Sequence, residues 1–121
     1  MSDRLIFVCS HGKESPERAI LNFVAANVAA MAGQQTTVLC TIEGVWLGTK
    51  GGTEGIEKEG FRSLAELYPE YIENGGEVWL CGTCTKPRAI TEDMLAEGAR
   101  IVGAAMITEE IVAGAKTIVY A

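Results

Sequence analysis

Short apolar segments alternate with helix-like segments along the chain, and this alternation limits the fold more than any other feature. Five segments have the length and the apolar or β-branched character of strands: Arg4–Cys9, Thr36–Ile42, Glu77–Cys81, Arg100–Ala104 and Lys116–Tyr120. Such a chain usually folds with helices on both faces of a parallel sheet. We therefore predict a three-layer α/β/α sandwich with a mainly parallel five-stranded sheet, formed by residues 1–121 as one domain.

Cap and stop signals indicate four helices between these strands. Ser15 and Pro16 are typical of a helix start, and Gly33 of a helix end. Ser63 and Glu66 have the spacing of a capping box. The predicted helices cover residues 16–32, 63–73, 91–98 and 108–114.

Composition and charge exclude several classes of protein. Ten Lys and Arg residues against sixteen Asp and Glu residues give a net charge of −6, which disfavours a nucleic-acid partner. No apolar run is long enough to span a membrane, and the N-terminus lacks the apolar stretch of a signal peptide. We expect a cytoplasmic protein without membrane contact, whose four cysteines are not structural disulfides.

A glycine-rich segment follows the second predicted strand. Residues 44–60 contain six of the fourteen glycines in the chain. We expect a long mobile loop, which could border a site or bind a small molecule. Trp46, Leu47 and Ile56 would be exposed apolar side chains in such a loop, and burial under a second subunit would suit them better.

The four cysteines fall into two classes. Cys9 and Cys40 lie within apolar strands, where a free cysteine packs as a small apolar side chain. Cys81 and Cys84 instead form a C-x-x-C pair at the carboxyl end of the third strand, which is the end where parallel sheets place their sites. Cys84 is expected in a polar loop rather than in a long helix.

Thiol chemistry is the interpretation that best explains the C-x-x-C pair. A free thiol is only a few per cent thiolate at neutral pH, and cationic neighbours increase that fraction. Lys86 and Arg88 follow the pair within four residues, and His11 follows the first strand at the same edge. We take Cys81 and Cys84 as candidate catalytic residues and Lys86, Arg88 and His11 as candidate supporting groups.

Metal and cofactor sites have weaker support. Cys9, His11, Cys81 and Cys84 could converge on a metal, but only one short-spaced cysteine pair is present, so we predict no metal site. The chain contains neither a phosphate-loop motif nor a dinucleotide-binding motif, and we predict no cofactor.

The segment Leu80–Ile90 resembles the cysteine motif of the DsrE/DsrF-like family, especially its small YchN-like members. The family pattern is L-C-x-T-C-T-x-x-R-G-I, and the segment reads LCGTCTKPRAI. The resemblance extends over nearly the whole chain. The one departure is Ala89, at a position where the family usually has glycine.

This resemblance implies a DsrEFH-like fold that assembles as a homo-oligomer, either a trimer or a hexamer. Some members carry sulfur as a persulfide on a cysteine seven residues before the motif arginine. Cys81 precedes Arg88 by seven residues, so the resemblance assigns the sulfur-accepting role to Cys81. The implied partners are a sulfur donor and a sulfur acceptor protein.

Two other functions stay open at this point. A thiol-disulfide oxidoreductase would use both Cys81 and Cys84, although the pair lies later in the chain than in thioredoxin-like proteins. An oligomeric module that binds a ligand or partner without catalysis would use the glycine-rich segment and Trp46.

Overall fold

Five parallel strands form the centre of the computed structural model, which describes residues 1–121. The strands are β1 (Leu5–Cys9), β2 (Thr36–Cys40), β3 (Glu77–Cys81), β4 (Ala99–Val102) and β5 (Lys116–Val119). The α-helices are α1 (Pro16–Met31), α2 (Leu64–Glu73), α3 (Gly82–Thr85) and α4 (Ala104–Val112). Short 3₁₀ turns cover Ile42–Gly48, Lys86–Arg88 and Glu92–Met94.

The strand order is β4-β3-β2-β1-β5, and every neighbouring pair is parallel. Cys9 is the register partner of Cys40, and Cys40 is the partner of Leu80. Cys81 pairs with Val102 on the outer side of β3. The carboxyl ends of β1 to β4 therefore meet at one edge of the sheet, as the alternation of strand and helix predicts.

Helices α1 and α2 cover one face of the sheet over the larger core. The alternate strand residues Phe7, Val38 and Val78 belong to this core. Phe23 of α1 is fully buried, and its ring contacts two tyrosine rings of α2 at centroid distances of 5.6 and 5.7 Å. Aromatic packing between the two helices thus joins them into a single layer.

Helix α4 covers the opposite face over a smaller core. Ile6, Leu39 and Trp79 are the alternate strand residues on this face, and α4 packs Met106 and Ile107 against them. No residue of α4 is fully buried, so this helix covers its face of the sheet less completely than α1 and α2 cover the other face. The two faces together confirm the predicted three-layer α/β/α architecture.

A buried arginine ties α4 to the sheet at the amino ends of the strands. Arg4 is 8% exposed, and its guanidinium lies 4.9 Å from the centroid of the Trp79 ring. It donates to Thr37 at 2.7 Å and forms ion pairs with Glu77 at 3.1 Å and Glu110 at 3.0 Å. A buried charge requires such partners, and here they satisfy it at the edge opposite the cysteine pair.

The predicted loop over residues 44–60 is present only after Gly48, and the prediction that Leu47 and Ile56 are exposed is wrong. Val45, Leu47 and Ile56 are 0%, 0% and 1% exposed, because the 3₁₀ turn Ile42–Gly48 packs its apolar side chains into the larger core. A β-carbon on Gly44 would overlap the carbonyl oxygen of Cys9, so glycine permits close approach here. Leu47 and Ile56 therefore offer no surface to a second subunit, and only Trp46 stays partly exposed, at 36%.

Two predicted helices have different limits in the structure. The segment predicted over residues 91–98 is helical only at Glu92–Met94. The chain then bridges to residues 48–50 instead: the Ala96 N–H group donates to the Gly48 carbonyl oxygen, and the Met94 carbonyl oxygen accepts from the Lys50 N–H group. The last helix begins at Ala104 rather than at Thr108, directly after the extended residue Gly103.

The first two helices begin at the predicted residues but without the predicted side-chain caps. Neither Ser15 nor Ser63 accepts a hydrogen bond through its side chain from a backbone N–H group in the first turn of its helix. The Ser15 hydroxyl instead accepts a hydrogen bond from Arg18 at 3.1 Å. The two helices thus begin at these residues without a side-chain cap. The predicted Ser63–Glu66 capping box is absent.

Ala89 adopts a left-handed conformation, with φ 56° and ψ 33°, immediately after the turn Lys86–Arg88. A left-handed conformation costs an L-amino acid about 1–2 kcal/mol, whereas glycine adopts it readily. The glycine that the resembled family usually has at this position would relieve that cost.

We predict that Ala89→Gly raises the free energy of unfolding by about 0.5–1 kcal/mol, measured by urea denaturation, since the side chain is exposed and packs little. The matched control is Ala113→Gly, at an exposed residue with φ −74° and ψ −6°. That change should lower stability. Equal losses in both variants would contradict the strain at Ala89.

Candidate functional site

Cys81 is the last residue of β3 and lies immediately before α3. Alternate residues of a strand face opposite sides of a sheet. Cys81 thus shares a side with Trp79, and its register partner Val102 belongs to the same α4-side core. The thiol is free and half-buried at the carboxyl edge of the sheet, which makes it accessible to a reactant.

Cys84 is the third residue of the one-turn helix α3. Its half-buried side chain packs against the larger core, on the side of α1 and α2. The predicted loop position is therefore wrong, because the chain makes one helical turn directly after Cys81, but the prediction that Cys84 does not lie in a long helix is confirmed. Cys81 lies directly before α3, and Cys84 lies in its first turn. This spacing is compatible with dithiol chemistry, although α3 has only four residues.

Arg88 contacts the backbone of the cysteine motif rather than a sulfur atom. Its Nη1 group donates to the carbonyl oxygen of Cys84 at 3.0 Å. Its Nε group donates to a carboxylate oxygen of Glu43 at 2.8 Å. Lys86 is exposed in the adjoining turn. The arginine thus fixes the end of α3, and the exposed lysine leaves one cationic group free near the pair.

His11 lies in the loop after β1, where its Nδ1 atom is 2.7 Å from a carboxylate oxygen of Glu14. Burial by itself raises the pKa of Glu14, but the hydrogen bonds from His11 and from backbone N–H groups outweigh it and lower the pKa. Strand β2 lies between β1 and β3, so the loop of His11 is two strand spacings, roughly 10 Å, from Cys81. The supporting role of His11 remains a prediction.

Cys9 and Cys40 are fully buried in the larger core, as their apolar strands predict. Burial raises the pKa of Cys9 to about 11, partly offset by a hydrogen bond with the backbone of His11. Burial also raises the pKa of Cys40 well above its usual value. Both thiols therefore stay protonated at neutral pH. They are also fully buried, whereas Cys81 and Cys84 are half-buried.

A cavity of about 460 Å³ opens at the carboxyl edge of the sheet, between the loop after β1 and the segment after β2. Trp46 and Glu43 line it together with Gly51 and Gly52. Glu43 also bonds Arg88, and this bond is the link between the cavity and the motif, since no residue of Leu80–Ile90 lines the cavity. The structure contains no group of three or more His, Cys, Asp or Glu side chains placed to hold a metal ion.

The residue that sequence reasoning missed is Glu43. It follows the second strand at the predicted site edge, but one glutamate among sixteen acidic residues has no distinguishing pattern. Its partner Arg88 is 45 residues away, and only the packed sheet brings them together.

The DsrE/DsrF-like family model matches residues 3–120. The chain belongs to this family. The match covers almost the whole sequence, including the elements that position Cys81 and Cys84. Membership confirms the resemblance seen in the segment Leu80–Ile90.

Related proteins and structures agree with this assignment. An uncharacterized protein of Methanocaldococcus jannaschii, MJ0760, is 28% identical over 102 residues, which are 84% of this chain but only 37% of that protein. An uncharacterized protein of Methanopyrus kandleri, MK0008, is 30% identical over 99 residues, 82% of this chain and 78% of the relative. The chain therefore spans little more than a third of the first relative.

Two solved structures share the fold. The ychN protein from E. coli has a TM-score of 0.76 at 16% identity and covers 99% of this chain and 100% of its own. MTH1491 from Methanobacterium thermoautotrophicum, a protein of unknown function, has a TM-score of 0.72 at 18% identity, with 97% and 98% covered. They confirm the DsrE-like α/β fold. In addition, none of the helices of this DsrE-like chain combines the length and apolar character needed to cross a membrane.

We predict that iodoacetamide at pH 8 alkylates only two cysteines of the folded protein, Cys81 and Cys84, and all four after denaturation. Cys9 and Cys40 are buried, and the raised pKa of each keeps its thiol protonated at that pH. Peptide mass spectrometry identifies the modified residues. Rapid labelling of Cys9 or Cys40 without denaturant would contradict the placement of these strands.

Proposed function

We propose that this protein carries sulfur as a persulfide on Cys81. The observation that carries the proposal is the place of this thiol: it is free, half-buried and at the carboxyl end of β3, inside the cysteine motif of a family associated with sulfur relay. Its partners are a protein that donates sulfur and a protein that accepts it, and the protein works as a homo-oligomer. Four free thiols suit a reducing compartment such as the cytoplasm.

The transfer needs no cofactor and no net oxidation. The Cys81 thiolate attacks the outer sulfur of a donor persulfide, R–S–SH. A new S–S bond forms at Cys81 while the donor S–S bond breaks, and the donor leaves as a thiolate that takes up a proton. The product is Cys81–S–SH. An acceptor thiolate removes the outer sulfur by the same exchange and regenerates the Cys81 thiolate.

Cys84 offers a second way to end the cycle. Its thiolate could attack the inner sulfur of the Cys81 persulfide, forming a Cys81–Cys84 disulfide and releasing hydrosulfide. The position of Cys84 in the first turn after Cys81 supports this step. Its packing against the larger core favours the alternative, in which Cys84 is structural and an external thiol takes the sulfur.

The second candidate function is thiol-disulfide exchange with protein substrates. The start of α3 directly after Cys81 favours it, since the two cysteines then have the spacing of a dithiol pair at a helix start. It predicts insulin-reduction activity that depends on both cysteines. The cavity beside Trp46 separately allows a ligand-binding role, which would persist in a Cys81/Cys84 double variant.

We predict that the protein gains one sulfur atom when it is incubated with a low-molecular-weight persulfide, and that Cys81→Ser abolishes this gain. The accessible thiol of Cys81 is the only one that the proposed chemistry requires. Intact-mass spectrometry measures the adduct.

The matched control is Cys84→Ser, which should retain the adduct. Retention of the adduct by Cys81→Ser would show that the sulfur-accepting residue is misassigned. No adduct on either protein, together with insulin reduction that needs both cysteines, would favour the dithiol function instead.

A further inference from the structure

We propose that Glu43 is a positioning residue for the cysteine motif, acting through Arg88. This inference rests on the proposed sulfur transfer and concerns how the site is held for that reaction. Glu43 keeps the Arg88 guanidinium against the carbonyl oxygen of Cys84, and so fixes the short helix that follows Cys81.

Two hydrogen bonds of Arg88 connect the turn after β2 to the cysteine motif. Glu43 accepts a hydrogen bond from Arg88 Nε at 2.8 Å, and Arg88 Nη1 donates to the Cys84 carbonyl oxygen at 3.0 Å. The Arg88 side chain is 25% exposed and the Glu43 side chain 48%, so the bond to the Cys84 carbonyl oxygen is partly buried and the bond to Glu43 faces solvent. Hydrogen bonds between charged groups are stronger than neutral ones, and a guanidinium holds two acceptors in a fixed geometry.

Motif helix α3 depends on such an anchor because it is one turn long. An isolated turn of helix is unstable, since it fixes several residues for very few hydrogen bonds. Ile90 and Ala89 donate to the carbonyl groups of Thr85 and Lys86, which closes the following turn. The hydrogen bond from Arg88 to Glu43 then connects this turn to the 3₁₀ turn Ile42–Gly48.

The backbone that carries Glu43 is itself tightly placed. A β-carbon on Gly44 would overlap the Cys9 carbonyl oxygen, and one on Gly12 would lie 2.8 Å from the Glu43 carbonyl oxygen. Ile42, just before Glu43, has a φ of 52°, which is unusual for a β-branched residue. Such strain persists only where the surroundings hold it, so the Glu43 carboxylate starts from a defined position.

The test compares Glu43→Ala, Glu43→Gln and Arg88→Ala in the full chain. Two readouts are followed: the rate at which Cys81 gains sulfur from a low-molecular-weight persulfide at pH 7, and the ¹⁵N NMR resonance of Arg88 Nε–H. We expect Glu43→Ala to slow loading about fivefold, the upper end of what the loss of one solvent-exposed ion pair produces. It should also move the Arg88 resonance to the position of a free guanidinium.

Glu43→Gln keeps an oxygen acceptor and should restore loading to within about twofold of the unmodified protein. The Glu43→Ala/Arg88→Ala double variant should be no slower than Arg88→Ala alone, because both changes remove the same link. Glu57→Gln is the charge-matched control at an exposed residue without an ion pair, and it should change neither readout.

Failure of this inference is distinguishable from failure of the proposed function. If the unmodified protein takes up no sulfur, the carrier function is wrong, and the NMR resonance still tests the link between Glu43 and Arg88. If Glu43→Ala loads sulfur at the unmodified rate, or if Glu43→Gln is as slow as Glu43→Ala, the positioning role is overturned. A double variant much slower than Arg88→Ala would also overturn it.

Discussion

The in-register pairing of parallel strands is the constraint on which the rest of the structure depends. Cys9, Cys40 and Leu80 are register partners across β1, β2 and β3, so the chain leaves all three strands at the same level. The loop of His11, the turn of Glu43 and the cysteine motif therefore emerge at one edge. A shift of one residue in β3 would move the Cys81 side chain to the other face of the sheet.

This register also separates the four thiols, which have little to distinguish them by residue type alone. Cys9 and Cys40 point into the larger core, where burial keeps them protonated. Cys81 lies on the opposite side of the sheet, at the end of its strand. Cys84 packs against the larger core. One sheet thus holds two fully buried cysteines and a half-buried pair within a few residues of the same edge.

The sequence predicted the parts of the fold that depend on local pattern. The five apolar runs became five parallel strands, and Pro16 and Gly33 correctly marked the limits of α1. The errors lie where tertiary contacts decide. Glycines suggested a mobile loop after β2, but their lack of side chains instead lets the chain pack against the end of β1. The link from Glu43 to Arg88 could not be predicted, because no periodic pattern connects residues 45 positions apart.

Sulfur transfer by Cys81 is tested most directly by peptide mass spectrometry of the protein purified without reductant from cells supplied with a sulfur source. We expect one extra sulfur atom on Cys81, removable by a thiol, and none on Cys9 or Cys40. Extra sulfur on Cys84 with Cys81 unmodified would contradict it.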